Sequence, residues 1–188
     1  MGYRLSRIFT RTGDSGETGL ADGQRVSKDS CRIELLGELD ELNARIGLLL
    51  MEDIEAPLRG CLEEIQQLIF DLGGDLSIPG RSSLHSNHTA WLESWIEHLN
   101  QALPPLQEFV LPGGSRAASL AHLARTGSRC AERRAVRLDR EESLNPEILK
   151  FLNRLSDFLF IVCRRIARHQ GQEPQWRPHR EPPALPPD

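Results

Sequence analysis

Between Ile148 and Ile166 the apolar residues Ile148, Leu152, Leu155, Leu159, Val162 and Ile166 recur at spacings that alternate between four and three. That pattern lays a single apolar stripe along an α-helix, and it does not fit the two-residue period of a strand. A helix with one such stripe must bury it against other helices. The ends carry matching signals. Asn145 is a good N-cap, Pro146 suits the first helical position, and Glu147 meets the positive end of the helix dipole. Gly171 is placed to close the helix.

The same spacing recurs upstream. Leu35, Leu39, Leu42, Ile46 and Leu49 predict a helix over about 32–51. Leu58, Leu62, Ile65, Leu68 or Ile69, and Leu72 predict a second over about 57–76, with Pro57 in its first turn. Gly73-Gly74 weakens its end and Pro79-Gly80 stops it. Trp91, Trp95, Leu99 and Leu103 predict a third over about 87–103, ended by Pro104-Pro105. The turn Pro112-Gly113-Gly114 delivers Ser115 as the N-cap of a fourth helix reaching about 138. The expectation is an all-α, five-helix bundle forming one domain over residues 1–171. Six prolines between Pro174 and Pro187 predict a flexible tail over 172–188 without regular structure.

Composition removes several function classes. A net charge of −4 argues against a general nucleic-acid binder. No apolar run approaches the roughly 18 residues of a membrane span, and the N-terminus has no signal-peptide h-region. Its MGxxxS start matches a myristoylation pattern too short to separate from chance. Cys31, Cys61, Cys130 and Cys163 form no CxxC pair and read as small core or interface residues in a reducing cytoplasm.

Several polar features are not explained by a core. Thr10 to Gly19, TRTGDSGETG, follows the apolar pair Ile8-Phe9 and holds Gly13, Gly16 and Gly19 among threonines and Arg11. Such a segment is either a cradle of backbone amides for an anion or an ordinary flexible loop. It is not a Walker A loop, since no GxxxxGK[ST] occurs. The first helix carries a second stripe of Leu36, Asp40, Asn43, Gly47 and Leu50, which fits a close contact with another helix or subunit, or a solvated face. Gly37 and Gly47 each cost about 1 kcal/mol relative to alanine, which favours a packing or functional reason. The fourth helix aligns Arg125, Arg129 and Arg133 one turn apart, widened by Arg134 and Arg137. That stripe suits carboxylates or phosphates, or is a solvated basic face. Asn153 and Asp157 lie one turn apart on the fifth helix, as ordinary surface polarity also allows. His85 and His88 read as an exposed helix start rather than metal ligands.

Taken in order, these blocks resemble one family. TRTGDSGETG, then Arg25 to Asp29, RIELLGELDELNARIG, FVLPGG (Phe109 to Gly114), ARTGSRCAERR (Ala124 to Arg134) and LNRLSDFLF (Leu152 to Phe160) resemble the PduO-type ATP:cob(I)alamin adenosyltransferases over about residues 8–170. The resemblance implies a five-helix bundle assembling as a homotrimer, with active sites between subunits. Thr10, Arg11, Thr12, Gly13, Thr18 and Gly19 would wrap the ATP phosphates and Lys28 would add a point charge. Arg129, Glu132 and Arg133 would bind ATP from the neighbouring subunit, and Asn153 would contact the nucleotide. Asp40 and Arg125 would form a bridge between subunits. Phe109 would help displace the lower axial ligand of cobalamin.

The implied reaction transfers the 5′-deoxyadenosyl group of ATP to cob(I)alamin and releases triphosphate. Lys28, Arg129, the loop amides and Mg2+ would stabilise the leaving group. Cobalt is the nucleophile, so no activated serine or cysteine is needed. The implied partners are a separate cobalamin reductase or electron donor and an adenosylcobalamin-dependent enzyme that receives the product. Two positions depart from the family pattern: Cys130 stands where another arginine is usual, and Ser30 where a second acid is common. Rival readings are a cobalamin carrier or nucleotide-sensing trimer without turnover, and a purely structural bundle. The second leaves the N-terminal loop unexplained.

Overall fold

The computed structural model describes residues 9–78, 80–170, 173–182 and 184–185. Five helices carry the fold: α1 (Cys31–Leu50), α2 (Ala56–Ser77), α3 (Ser86–Asn100), α4 (Arg116–Glu141) and α5 (Pro146–His169). In space α1 packs on α2 and α4, and α5 packs on α4 and α3. The bundle is therefore ordered α2, α1, α4, α5, α3, with α4 wedged at its centre.

The apolar seams of α1, α2 and α5 are buried as their spacing predicts. Leu35, Leu39, Leu42, Ile46 and Leu49 on α1 are at most 2% exposed. Leu58, Leu62, Ile65 and Leu72 line the core from α2. On α5 Phe151 and Phe158 are fully buried beside Leu152, Leu155 and Leu159. The expected caps form: Asn145 Oδ1 accepts from the Glu147 amide at 3.0 Å, and Ser115 Oγ from the Ala118 amide at 3.1 Å. Gly171, Pro79, Ile8 and the MGxxxS start lie outside the described residues.

The centre of the bundle is built differently from its flanks. Helix α4 meets α1 and α5 through Ala117, Ala118, Ala121, Ala124, Gly127, Ser128, Ala131 and Ala135. Small side chains let two helices approach it closely on opposite sides, and Ser128 Oγ donates to the Leu152 carbonyl at 2.9 Å across the α4–α5 contact. The deepest residues of α3 are Leu92 and Leu99, two helical turns apart, with Thr89 beside them. Trp91 and Trp95, expected on the seam, are only partly buried against it. Their bulk caps the edge of the α3–α5 contact while the leucines fill it.

The reading of the chain as all-α needs one correction. Glu17–Gly19 and Arg25–Ser27 form two short strands, β1 and β2, paired antiparallel with Thr18 opposite Val26. The turn between them closes through Leu20 N–H donating to Gln24 O at 2.8 Å, and Gly23 takes a φ of 87° that favours glycine. Two β-branched residues facing each other suit such a pair.

The tail also departs from expectation. Residues 173–176 lie against 109–111, joined by Leu111 N–H to Pro174 O at 2.9 Å and Trp176 N–H to Phe109 O at 2.8 Å around a Val110–Gln175 bridge. Proline content predicted no regular structure here. It did not reveal that Pro174, with no amide to donate, still offers a carbonyl to a partner strand.

Candidate active site

The N-terminal loop is folded on itself rather than loose. Arg25 reaches back across it, donating to Thr12 O at 2.7 Å and pairing with Glu17 at 3.1 Å. Thr10 and Thr12 share a hydroxyl hydrogen bond of 2.8 Å. Arg11 adopts a φ of 61°, a left-handed conformation that side-chain-bearing residues rarely hold and that recurs at ligand clamps. Lys28 is tied into the loop by its amide, which donates to Gly16 O at 2.9 Å. Its ammonium lies over Gly13, where a Cβ would sit 3.1 Å from Nζ and 3.3 Å from the Glu17 carbonyl. Glycine at 13 is thus what lets the cation close on the loop backbone. The outcome is a compact rim of amides, hydroxyls and one ammonium. Among the described residues one hydrogen bond, Ala21 N–H to Ser77 O at 3.1 Å, moors this hairpin to the end of α2.

The arginine stripe on α4 divides into two halves. Arg134 and Arg137 are spent within the chain, on Glu34 at 2.9 and 3.6 Å, with Glu38 and Glu141 close by. Arg129 and Arg133 stay exposed, and Arg133 donates to Cys130 Sγ at 3.0 Å. Among the described residues no carboxylate pairs with Arg125, Arg129 or Arg133. Aligned guanidiniums without acids beside them are poised for an external anion. Cys130, expected to depart from the pattern of similar proteins, is half-buried between Arg129 and Arg133 and carries a free thiol. Ser30, the other departure, is the N-cap residue of α1 without a side-chain capping bond.

The structure brings Glu132 and Asn153 together. Asn153 Nδ2 donates to Glu132 Oε1 at 2.9 Å, and Arg154 holds the other side of the amide by donating to Asn153 Oδ1 at 3.0 Å. Arg154 is itself anchored on Glu93 of α3 at 2.7 Å. The amide of Asn153 therefore has a fixed orientation, set from three helices.

Arg125 has a support that its helical pattern did not flag. Its Nε donates to His122 Nδ1 at 3.4 Å, and His122 is 4% exposed. Burial, and then the Arg125 charge, push the His122 pKa down to about 4, so the imidazole is a neutral acceptor at neutral pH. An unfolded chain would protonate this histidine near pH 6.5 and the folded one near 4, so stability falls as the pH drops from 6.5 to 4. Acid titration of the unfolding transition is expected to show that loss, and His122→Gln to remove it. An identical acid slope in the variant would discount His122.

Asp40 lies exposed on α1 and lines an open cleft of about 760 Å³ between α1 and α2, with Leu36, Phe70, Gly74 and Arg81. It makes no ion pair with Arg125 inside the chain. The second stripe of α1 does hold a close helix contact, with α2. Asn43 Nδ2 donates to Gln66 O at 3.3 Å, Gln66 Nε2 donates to Asn43 O at 3.1 Å, and a Cβ on Gly47 would lie 3.4 Å from Gln66 Nε2. At Gly37 an added Cβ would meet nothing within 4 Å, so its cost has no packing reason within the chain.

Phe109 projects from the loop before α4 at 78% exposure, with the Trp176 ring edge-on at 6.4 Å. His85 and His88 serve the start of α3, where His88 Nδ1 accepts from the His85 amide at 3.1 Å. The Cys61 and Cys163 thiols are pushed up to about 12, chiefly by burial, which makes them poor nucleophiles. Among the described residues no cluster of three or more His, Cys, Asp or Glu side chains is gathered to hold a metal. The sequence reading passed over His122, the Arg25 clasp and the Trp176 contact. Spacing of three from Arg125 was an available signal for the first, whereas the others depend on chain reversals.

Within one chain no hydrogen bond or ion pair joins the 10–28 loop to Arg125, Arg129, Arg133 or Asn153. The N-terminal loop and the α4–α5 cluster are built separately.

Comparison with known proteins gives a consistent picture. Residues 8–166 match the cobalamin adenosyltransferase family. A cobalamin adenosyltransferase of Cupriavidus metallidurans is 52% identical, with 96% of this chain and 100% of the relative covered. A corrinoid adenosyltransferase of Bacillus subtilis is 43% identical over 88% of this chain and 89% of its own length. Among solved structures, an alanine-for-phenylalanine variant of the PduO-type ATP:corrinoid adenosyltransferase from Lactobacillus reuteri, complexed with cobalamin and ATP, superposes with a TM-score of 0.85 at 38% identity. The match covers 91% of this chain and 99% of that one.

Proposed function

The chain belongs to the cobalamin adenosyltransferase family and is an ATP:corrinoid adenosyltransferase; we propose that it works as a homotrimer in which each active site joins the 10–28 loop of one subunit to the α4 stripe of the next. The observation that carries this reading is the split site. One half is the Lys28 ammonium closed on the Gly13 backbone, and the other is an unneutralised Arg129–Arg133 pair beside a fixed Asn153. Each half is incomplete alone.

In the reaction, the cobalt of cob(I)alamin supplies the electron pair for a new bond to the ribose 5′-carbon. The bond from that carbon to the triphosphate oxygen breaks, and its electron pair leaves with triphosphate. The protein holds the two substrates in line and meets the charge that grows on the leaving group. The loop amides with Thr10, Thr12 and Thr18 bind the phosphates. Lys28 and Arg129 oppose the developing negative charge, and Arg133 extends the same cation row. Glu132, fixed by Asn153, orients the nucleotide. Mg2+ brought in with ATP would add charge neutralisation to that of Lys28 and Arg129, as an ion that keeps few protein ligands of its own. Phe109, apolar and exposed, crowds the lower face of the corrin and favours loss of its axial ligand, which eases reduction to Co(I).

Asp40 of one subunit pairs with Arg125 of its neighbour. His122 holds that guanidinium from within, and Leu48 of α1 and Leu123 of α4 give exposed apolar surface at 54% and 51% for the contact. The domain boundary falls near residue 171. No helix among the described residues is long and apolar enough to cross a membrane. A separate reductase supplies Co(I), and an adenosylcobalamin-dependent enzyme takes the product.

One assay tests the reading. Chemically reduced cobalamin, ATP and Mg2+ are mixed with the protein, and corrin absorbance and released triphosphate are followed together. Stoichiometric adenosylcobalamin and triphosphate are expected. Binding without product would leave a carrier, and no binding of either ligand would reject both readings.

A further inference from the structure

The exposed Phe109 ring owes its place to a segment more than sixty residues away. Glu173 is 5% exposed and receives hydrogen bonds from Arg164 Nε and Arg168 Nη1, each at 2.8 Å. Arg164 is just as buried, at 4%, and its remaining arm donates to Pro104 O at 2.9 Å. Burial pushes the Glu173 carboxyl up, but the hydrogen bonds and charges of the two arginines outweigh it and hold the group below the usual carboxylate range. Taking a carboxylate and a guanidinium out of water is costly unless they are paired and hydrogen-bonded, as Glu173 and Arg164 are here.

Directly after Glu173 the chain pairs with 109–111 through the two backbone hydrogen bonds on either side of Val110 and Gln175. Pro174 Cγ would lie 3.7 Å from a Cβ on Gly113, so the strap also closes on the turn into α4. Trp176 then presents its ring to Phe109 at 65°, the edge-to-face geometry favoured by aromatic quadrupoles. A shallow surface pocket runs from Glu108 along Glu173 to Pro178 beside this pair.

We propose that Glu173 is a positioning residue: its buried pairing with Arg164 and Arg168 latches residues 173–176 onto 109–111, and the latched Trp176 fixes the Phe109 ring and forms with it a two-ring apolar platform for the corrin substrate. This rests on the reading above that Phe109 meets cobalamin. The two arginines of the latch stand on α5, which packs between α4 and α3, so the platform inherits its rigidity from the core.

Three variants of the full-length protein test it. Glu173→Gln keeps the shape and removes the charge, Trp176→Ala removes a half-exposed ring with the core untouched, and Trp176→Phe restores an aromatic edge. Amide exchange at Leu111 reports the latch without reference to activity, and steady-state kinetics separate the two substrates. Absorbance of cob(II)alamin bound with ATP reports whether the lower ligand has left. Glu173→Gln is expected to speed Leu111 exchange by about tenfold, the scale of a lost charge-assisted hydrogen bond. It should raise KM for the corrinoid and lower the fraction of cobalt without its lower ligand, with KM for ATP unchanged. Trp176→Ala should reproduce the corrinoid effects, and Trp176→Phe should recover most of them. Unchanged Leu111 exchange in Glu173→Gln would overturn the latch. Faster exchange with unaltered corrinoid parameters, or a KM rise shared equally by ATP, would overturn the positioning role. If the unsubstituted protein failed to adenosylate cob(I)alamin at all, the platform would fall with the proposed function, while Leu111 exchange would still decide the latch.

Discussion

Lys28→Ala and Arg129→Ala are each expected to lower turnover by about a hundredfold or more, the usual cost of deleting one group that stabilises a developing negative charge. Neither should disturb folding, because both side chains are exposed and neither pairs with a carboxylate among the described residues. The larger effect comes from mixing. In a trimer with shared sites, a site is intact when its loop comes from an Arg129→Ala chain and its α4 from a Lys28→Ala chain. Random co-assembly then restores about a quarter of the sites from two inactive parents. A site contained in one chain would regain nothing. The measurement is adenosylcobalamin formation after co-expression or co-refolding, with each variant checked alone. Two well-folded variants that stayed inactive together would remove the shared site and leave Lys28 and Arg129 without their proposed partnership.

The parts of the protein that could be read from sequence share a physical reason. Leucine and isoleucine at four-three spacing have one compact solution, so the seams of α1, α2 and α5 were legible to the residue. Helix α4 was placed by its cap, but its interior was not, because alanine, glycine and serine leave little hydrophobic contrast between buried and exposed faces. The visible pattern on α4 was arginine, and it revealed the free half of the stripe without showing that Glu34 neutralises Arg134 and Arg137. On α3 the tryptophans drew attention by size, while Leu92 and Leu99 took the deepest positions. Pairings that depend on chain reversal, such as Arg25 over the loop and Glu173 under Arg164, leave no periodic trace. Even there a hint existed: Arg164 and Arg168 stand one turn apart on α5, and a buried arginine on a core helix must have an acid to meet it.

Phe151→Ala is expected to be the most destabilising single change, at about 3–5 kcal/mol. Phe151 is fully buried on α5, where packing against α4 leaves little room for neighbours to collapse into the void. For a chain of this size that loss corresponds to a fall in Tm of roughly 6–20 °C, measured at fixed protein concentration because assembly contributes to the transition. The consequence reaches the site. Phe151 immediately precedes Leu152, whose carbonyl receives Ser128 Oγ, and Asn153, whose amide holds Glu132. A cavity at 151 loosens the α4–α5 register on which those two contacts depend, so ATP affinity should weaken well below the melting temperature. Asn153→Ala supplies the contrast: it is half-buried at the surface of the same helix and should lose ATP affinity with little change in Tm. Calorimetry and ATP titration on both variants separate the effects. If Phe151→Ala lowered Tm but left ATP affinity intact, the α4–α5 register would not be what sets the geometry of Glu132 and Asn153.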